Sequence, residues 1–466
     1  MMTLLAIDLG TSYIKGAVLD LDTLRLVHIR RAPFPAALPG LPPLHYEVDP
    51  HTVVAAVRAL IDALLPHAPD CAGMVMATQM HSLVLADARG APLTNAITWQ
   101  DQRALEPHPS GTGSYFDLLV QRLSAAERRQ LGNELRPGLP ICALFYLAEQ
   151  GRLPAGSVPM TLADWVIARL CGTQPGTEPT NAAAQGALNL ETLDWHHDVL
   201  ARLGLNRLRW PALRRSGDVV GTARVGGHAL PCRTPVGDQQ CALVGAALGA
   251  DELSLNIATG SQVSRISSHL AFGDYQTRPF FDGQFLATIT HLPAGRALNL
   301  LIRLLSELAE AQQIALPDPW AYIARAAAAV DETDLQVDLA FFASARGDRG
   351  AITNIHEGNL TVGHLFRAAF EHMAGNYHAC ALRLWPERGW RRLVFSGGLA
   401  QQLELLRTII QQRFQAPYRL SPSTEDTLLG LLALGLAWTG RARSVAAAMD
   451  AIQQTYAGAA AQPGEG

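Results

Sequence analysis

Near the N-terminus, Leu4-Leu5-Ala6-Ile7-Asp8-Leu9-Gly10-Thr11-Ser12-Tyr13-Ile14-Lys15 sets a carboxylate, a tight glycine turn, two hydroxyls and an ammonium between apolar runs. Of the 37 Lys and Arg side chains, Lys15 is the only lysine. The pattern is that of a phosphate-binding hairpin. Small residues let the backbone approach an anion, and N–H groups and hydroxyls, here those of Thr11 and Ser12, donate to phosphate oxygens. A lysine adds a compact point charge where arginine would present a wide planar fork. Asp8 either bonds the turn's own N–H groups or helps hold Mg²⁺ through water, since Mg²⁺ prefers one or two carboxylates plus phosphates.

A second strand–turn–strand unit follows at 253–267, with Thr259-Gly260-Ser261 as its turn. Either hydroxyl of that turn could meet a phosphate beside Gly260. Asp238, in Gly237-Asp238-Gln239-Gln240, is either a helix N-cap or a general base that takes a proton from a substrate hydroxyl and helps bind the metal. Gln79, Met80 and His81 lie in a polar break between two strands, and Trp99, Asp101 and Arg103 follow another strand. Hydrogen-bonding side chains beside an indole suit a polyol, and they equally suit an anchored polar loop. Gly397-Gly398, with Gln402 four residues on, would let an adenine approach the backbone; a plain turn is the simpler alternative. There is no GxxxxGK and no GxGxxG after a strand, so neither a P-loop nor a dinucleotide fold is supported.

The elements that must position these residues alternate between strands and helices. Helical periodicity covers 52–65, much of 115–151, 161–170, 298–315, 361–385, 403–414 and 425–438. Recurrence of the strand–turn–strand unit divides the chain into two related lobes, 1–249 and 250–440, each offering one phosphate loop, and a frayed Ala/Gln/Gly-rich tail (441–466); the family resemblance given below makes the first lobe sugar- and phosphate-binding and the second nucleotide-binding. The 346–350 segment, Arg346-Gly347-Asp348-Arg349-Gly350, is a charged loop that serves as a lid or is merely solvated. A net charge of −4 without a basic stripe argues against nucleic acid. No apolar run is long enough to span a bilayer, and no secretory leader is expected. Six cysteines without CxxC spacing read as thiols of a reducing cytosol. Homodimerisation is left open.

Taken in order, these motifs resemble the FGGY family of carbohydrate kinases, over about residues 3–438. The resemblance implies an α/β, actin-like (ribonuclease H-like) fold with a mixed sheet flanked by helices in each of two lobes, closing over ATP, Mg²⁺ and a small sugar. It makes Asp8 through Lys15 the first phosphate motif and Thr259-Gly260-Ser261 the second. It makes Gln79, Met80, His81, Trp99, Asp101 and Arg103 sugar-binding, Asp238 the catalytic base, and Gly397, Gly398 and Gln402 the adenosine segment. Within the family the pattern is most similar to the sedoheptulokinases, through Asn181-Ala182-Ala183 and Gly237-Asp238-Gln239-Gln240-Cys241 among others. Gly-Asp-Gln-Gln also fits glycerol kinases, and Trp99 through Arg103 fits xylulokinases. The rival classes are a catalytically silent sugar or nucleotide sensor and an actin-like ATPase acting on a protein.

Overall fold

In the computed structural model the described residues are 2–111, 113–174, 176–342 and 347–460. Arg346, the first residue of the charged loop, lies outside them. Two mixed sheets form the frame. The first contains β1 (Thr3–Leu9), β2 (Tyr13–Asp20), β3 (Arg25–Pro33), β4 (Cys71–Thr78), β5 (Val219–Val225), β6 (His228–Arg233) and β7 (Val236–Gly237). Its order is β5-β6-β4-β1-β2-β3, with β7 also pairing β4. The second contains β8 (Glu252–Ile257), β9 (Gly260–Ser267), β10 (Gln276–Pro279), β11 (Phe285–Pro293), β12 (Arg392–Ser396) and β13 (Tyr418–Leu420), in the order β10-β11-β9-β8-β12-β13. In each, the first strand pairs antiparallel with the next and parallel with a later one: β1 with β2 and β4, β8 with β9 and β12. This repeat is the actin-like arrangement.

The helices that bear on the site are α1 (Pro50–Leu64), α2 (Leu162–Cys171), α3 (Asp238–Gly245), α4 (Gly295–Ala311), α5 (Val362–Leu384), α6 (Asp426–Trp438) and α7 (Val445–Ala460). Their starts are written locally. Asp49 caps α1 by accepting from His51 N at 2.9 Å, with Pro50 at the first helical position. Thr161 caps α2, and Gly172 closes it in the left-handed conformation.

Every residue of β1 is buried, and alternate side chains enter different cores. Leu5, Ile7 and Leu9 pack with α1 and α2, while Leu4 and Ala6 face α3 and α6. That second core also takes in Ile266, Leu286 and Val394 from the second sheet, so α3 and α6 form a layer shared by both lobes. Sequence order places α6 in the second lobe, yet it packs beneath the first sheet. The tail is not frayed over 445–456. Val445, Ala448, Met449 and Ile452 recur at helical spacing, and burial of that stripe holds α7 against the shared layer.

The two shared helices cross at glycines. A methyl added to Gly245 would lie 1.9 Å from the Asp426 carbonyl oxygen, and one added to Gly430 1.9 Å from that of Cys241. Backbone therefore meets backbone at the crossing. Gly430→Ala should destabilise the protein by roughly 3 kcal/mol or more, since neither helix can shift without repacking both lobes. Gly398→Ala, with open space at that position, should cost less than about 1 kcal/mol. Denaturant melts of the two variants check the contrast, and equal losses would contradict it.

Candidate active site

The strand register brings the motifs to one edge. Leu9 pairs with Thr78, and Gly237 pairs with Thr78 as well. The Gly10 turn, Gln79 and Asp238 are thus neighbours at the carboxyl ends of parallel strands, where an α/β sheet opens a crevice for ligands. The hairpin turn is closed by Gly10 N donating to Tyr13 O at 3.1 Å. Thr11 and Ser12 stand exposed at its tip. Trp99 Nε1 donates to Thr11 Oγ1 at 3.2 Å, and Thr11 Oγ1 donates to Gln79 Oε1 at 3.3 Å, tying the turn to two of the polyol-type residues. Trp99 is 37% exposed, leaving part of the indole free for a ligand.

On the opposite wall, the Thr259 turn and Gly397 come together because β8 and β12 are paired, Asn256 against Ser396. Gly397 has φ +85°, and a side chain there would meet the Ile257 carbonyl oxygen at 2.5 Å. Gly398 opens the short helix Gly398–Gln402, whose last residue is exposed. The two hydroxyls of the turn separate clearly. Ser261 is buried, donating to Leu292 O at 3.2 Å and accepting from Tyr377 OH at 3.0 Å. Thr259 and Gly260 are exposed to the cleft.

Asp238 begins α3, and its carboxylate accepts from Gln239 N at 2.8 Å. Burial pushes its pKa up to about 6, against the opposing pull of backbone N–H groups and Arg278. Gly237 N, just before it, is held by Thr180 Oγ1 at 3.0 Å. Thr180 in turn bonds the buried Glu178, which also caps the Pro179–Ala183 helix through Asn181 N at 2.7 Å. Asp8 is buried with one oxygen, Oδ1, lacking any partner among the described residues. Burial, then the charges of Asp238 and Glu425, lift its pKa to about 7 against the pull of Lys15. The Nε2 of Gln79 is likewise buried without a partner.

Three expected ligands are otherwise engaged. Lys15 Nζ meets Glu425 Oε2 at 2.8 Å, and Arg31, its cross-strand neighbour, binds the other oxygen. Lys15 therefore ties the hairpin to the start of α6. Asp101 and Arg103 are almost wholly buried. The Asp101 carboxylate takes Tyr46 N at 2.8 Å and Arg103 Nε at 2.8 Å, and Arg103 Nη2 reaches Glu47 at 2.6 Å. They brace the loop that carries Trp99.

Around His81 and Met80 lies a group that no local pattern announces: Glu134, Arg136, Gln239, Arg278 and His291. Arg278, on β10, chelates Glu134 and bonds Gln239, and its Nη1 lies 3.4 Å from Met80 Sδ. Arg136 Nη2 approaches His81 Nδ1 at 2.9 Å, and its Nη1 approaches His291 Nδ1 at 3.4 Å. Burial and the neighbouring guanidiniums push both histidines down, His291 to about 4.

Fold and cleft together define the class: a two-lobe, actin-like kinase of small sugars. Residues 3–245 match the profile of the FGGY family of carbohydrate kinases, N-terminal domain. The chain belongs to that family and is an ATP-dependent sugar kinase. It is similar to the sedoheptulokinase of Mus musculus, 23% identical over 461 residues, covering 89% of this chain and 93% of that protein. Its fold is that of ligand-bound xylulose kinase from Lactobacillus acidophilus, with TM-score 0.82 and 19% identity over 98% of this chain and 92% of that one. Plasmodium falciparum glycerol kinase with ADP gives TM-score 0.81 and 18% identity, over 97% and 92%. Among the described residues, no helix is long and apolar enough to cross a membrane.

A carboxyl whose pKa is raised on folding holds its proton more tightly in the folded chain, so its contribution weakens as pH climbs from 3.8 towards about 7. Asp8→Asn should therefore flatten the pH dependence of stability across that window and raise the melting temperature at pH 8 relative to pH 5. Melting curves at the two pH values test this, and an unchanged slope would place the Asp8 titration elsewhere.

Proposed function

We propose that this protein transfers the γ-phosphoryl group of ATP to the terminal primary hydroxyl of a ketose, with sedoheptulose the first candidate. The observation that carries the reaction is Asp238: a carboxylate at the head of α3, beside Gln79, Met80 and His81, in the cleft faced by the Thr259 turn. The likeness to a sedoheptulokinase over most of both chains supports the choice of sugar.

Asp238 takes the proton of the attacking hydroxyl. A pKa of about 6 keeps it ionised near neutral pH while leaving it more basic than an ordinary aspartate. The turn of Thr11 and Ser12 and the turn of Thr259 and Gly260 cradle the phosphates from opposite walls, with backbone N–H groups and hydroxyls as donors. Gly397 and Gly398 leave room for the adenosine, with Gln402 at its edge. Mg²⁺ fits at Asp8 and Asp238: Asp8 has a buried oxygen without a partner, and both carboxyls are held above their ordinary range where a cation would restore them. When bound, the ion neutralises phosphate charge as it develops. Trp99 offers its face to the C–H side of the sugar and Gln79 its unpartnered amide. Lys15 holds the first turn against α6, and Asp101 and Arg103 hold the Trp99 loop. Closure of the two walls excludes water and limits ATP hydrolysis.

Release of ADP with ATP and Mg²⁺ across sedoheptulose, xylulose, ribulose, fructose, glycerol and no sugar tests the reading. A preference for sedoheptulose is expected; xylulose or glycerol as best substrate would reassign the sugar but not the class. Turnover equal to the no-sugar control would point to a sensor. Asp238→Asn should lower kcat on the order of 10²–10⁴-fold while sugar binding persists. A variant as active as the parent would remove Asp238 from its role.

A further inference from the structure

Asp238 begins α3 directly after the two residues of β7, and the peptide in front of it is gripped from both sides. On one side, Val236 and Gly237 pair in parallel with Ala77 and Thr78 of β4. On the other, Gly237 N donates to Thr180 Oγ1 at 3.0 Å. Gly237 is itself buried, so this hydroxyl takes the place that water would hold at a surface. Thr180 is 1% exposed, which puts its side chain out of reach of a ligand in the cleft. Whatever it does for the reaction, it does through the backbone that carries Asp238.

Elementary chemistry fixes the direction of this contact. A backbone N–H can only donate, so the Thr180 oxygen accepts from Gly237 and its single proton must go elsewhere. It goes to Glu178 Oε1. Glu178 is wholly buried and collects two further donors, Asn181 N at 2.7 Å and Ser216 Oγ at 2.7 Å. Ser216 lies in a turn clamped in its own right. At the next residue, Gly217, φ is +87° and a side chain would lie 2.4 Å from Trp438 Cδ1, at the end of α6. The Thr180 hydroxyl is thus held in one orientation by a carboxylate anchored to two separate segments. A general base works only from the right place, and a shift of about 1 Å caused far from the chemistry can cost on the order of 10²-fold in rate.

Resting on the reading of Asp238 as the base, we propose that Thr180 is a positioning residue for phosphoryl transfer. Its hydroxyl, oriented by Glu178, fixes the Gly237 peptide and so aims the Asp238 carboxylate at the attacking hydroxyl, without touching the substrate.

The test uses the full chain with Thr180→Val, Thr180→Ala, Thr180→Ser, Asp238→Asn and the Thr180→Val, Asp238→Asn double variant. Valine keeps the shape of threonine and removes the hydroxyl. Alanine removes it without pressing a methyl on the Gly237 N–H, and replaces valine in every comparison if that chain does not fold. Steady-state ADP release with the preferred sugar is measured beside melting curves and hydrogen exchange of the 234–240 amides. Thr180→Val should lower kcat on the order of 10- to 100-fold, with KM for sugar and ATP changed less than about threefold. Its Gly237 amide should exchange at least about tenfold faster. Thr180→Ser should restore kcat to within about threefold of the parent. In the Asp238→Asn background, Thr180→Val should change kcat by less than about twofold, because a residue that acts through the base then has nothing to act on. A parent-like kcat in Thr180→Val, a serine variant as slow as the valine one, or an equal fall in the Asp238→Asn background would overturn the proposal and leave Asp238 as the base. Gly237 exchange at the parent rate would do the same. Asp238→Asn as active as the parent, or no sugar-dependent ADP release by the parent, would sink the reading of Asp238 and take the proposal with it.

Discussion

The crossing of α3 and α6 is the constraint on which the rest of the molecule depends. Two glycines, Gly245 and Gly430, let the helices touch backbone to backbone, and the same helices are the layer on which both sheets rest. Both also begin at the cleft. The first residue of α3 is Asp238, and the residue before α6 is Glu425, the partner of Lys15 and Arg31. Fixing the crossing therefore fixes where Asp238 stands relative to the Gly10 turn.

The cleft carries carboxyls and histidines that burial shifts in opposite directions. Beside the Gly10 turn, burial raises the pKa of Asp8 to about 7 and that of Asp238 to about 6, against the pull of Lys15 and Arg278. Around Met80, burial together with Arg136 and Arg278 holds His81 and His291 well below the ordinary histidine range.

The fold and the turns that edge the cleft were largely legible in the sequence, and the reason is local geometry. The Gly10 turn, Thr259-Gly260 and Gly237-Asp238 each encode their structure within a few consecutive residues, as a strand end and a change of backbone direction. Their order along the chain carried the family resemblance. The Glu134, Arg136, Arg278 and His291 group was not legible, because each comes singly from a different element and only folding assembles them. Asp101 and Arg103 illustrate the converse. Polar residues beside a tryptophan read the same whether they face a ligand or each other, and here they face each other. Lys15 was singled out by its rarity, yet its partner lies 410 residues away. The tail was misread from composition, since the stripe from Val445 to Ile452 matters more than the Ala/Gln/Gly content around it.

One consequence follows for anyone handling the molecule. A chain with a single lysine presents acylating reagents with one ε-amine, and that amine sits in the bridge between the first hairpin and the start of α6. An ammonium held against a carboxylate is a poor nucleophile until the contact opens and the proton leaves. The rate at which Lys15 is acylated is therefore a clock for the opening of that bridge, built into the natural sequence and readable by mass spectrometry without introducing a label.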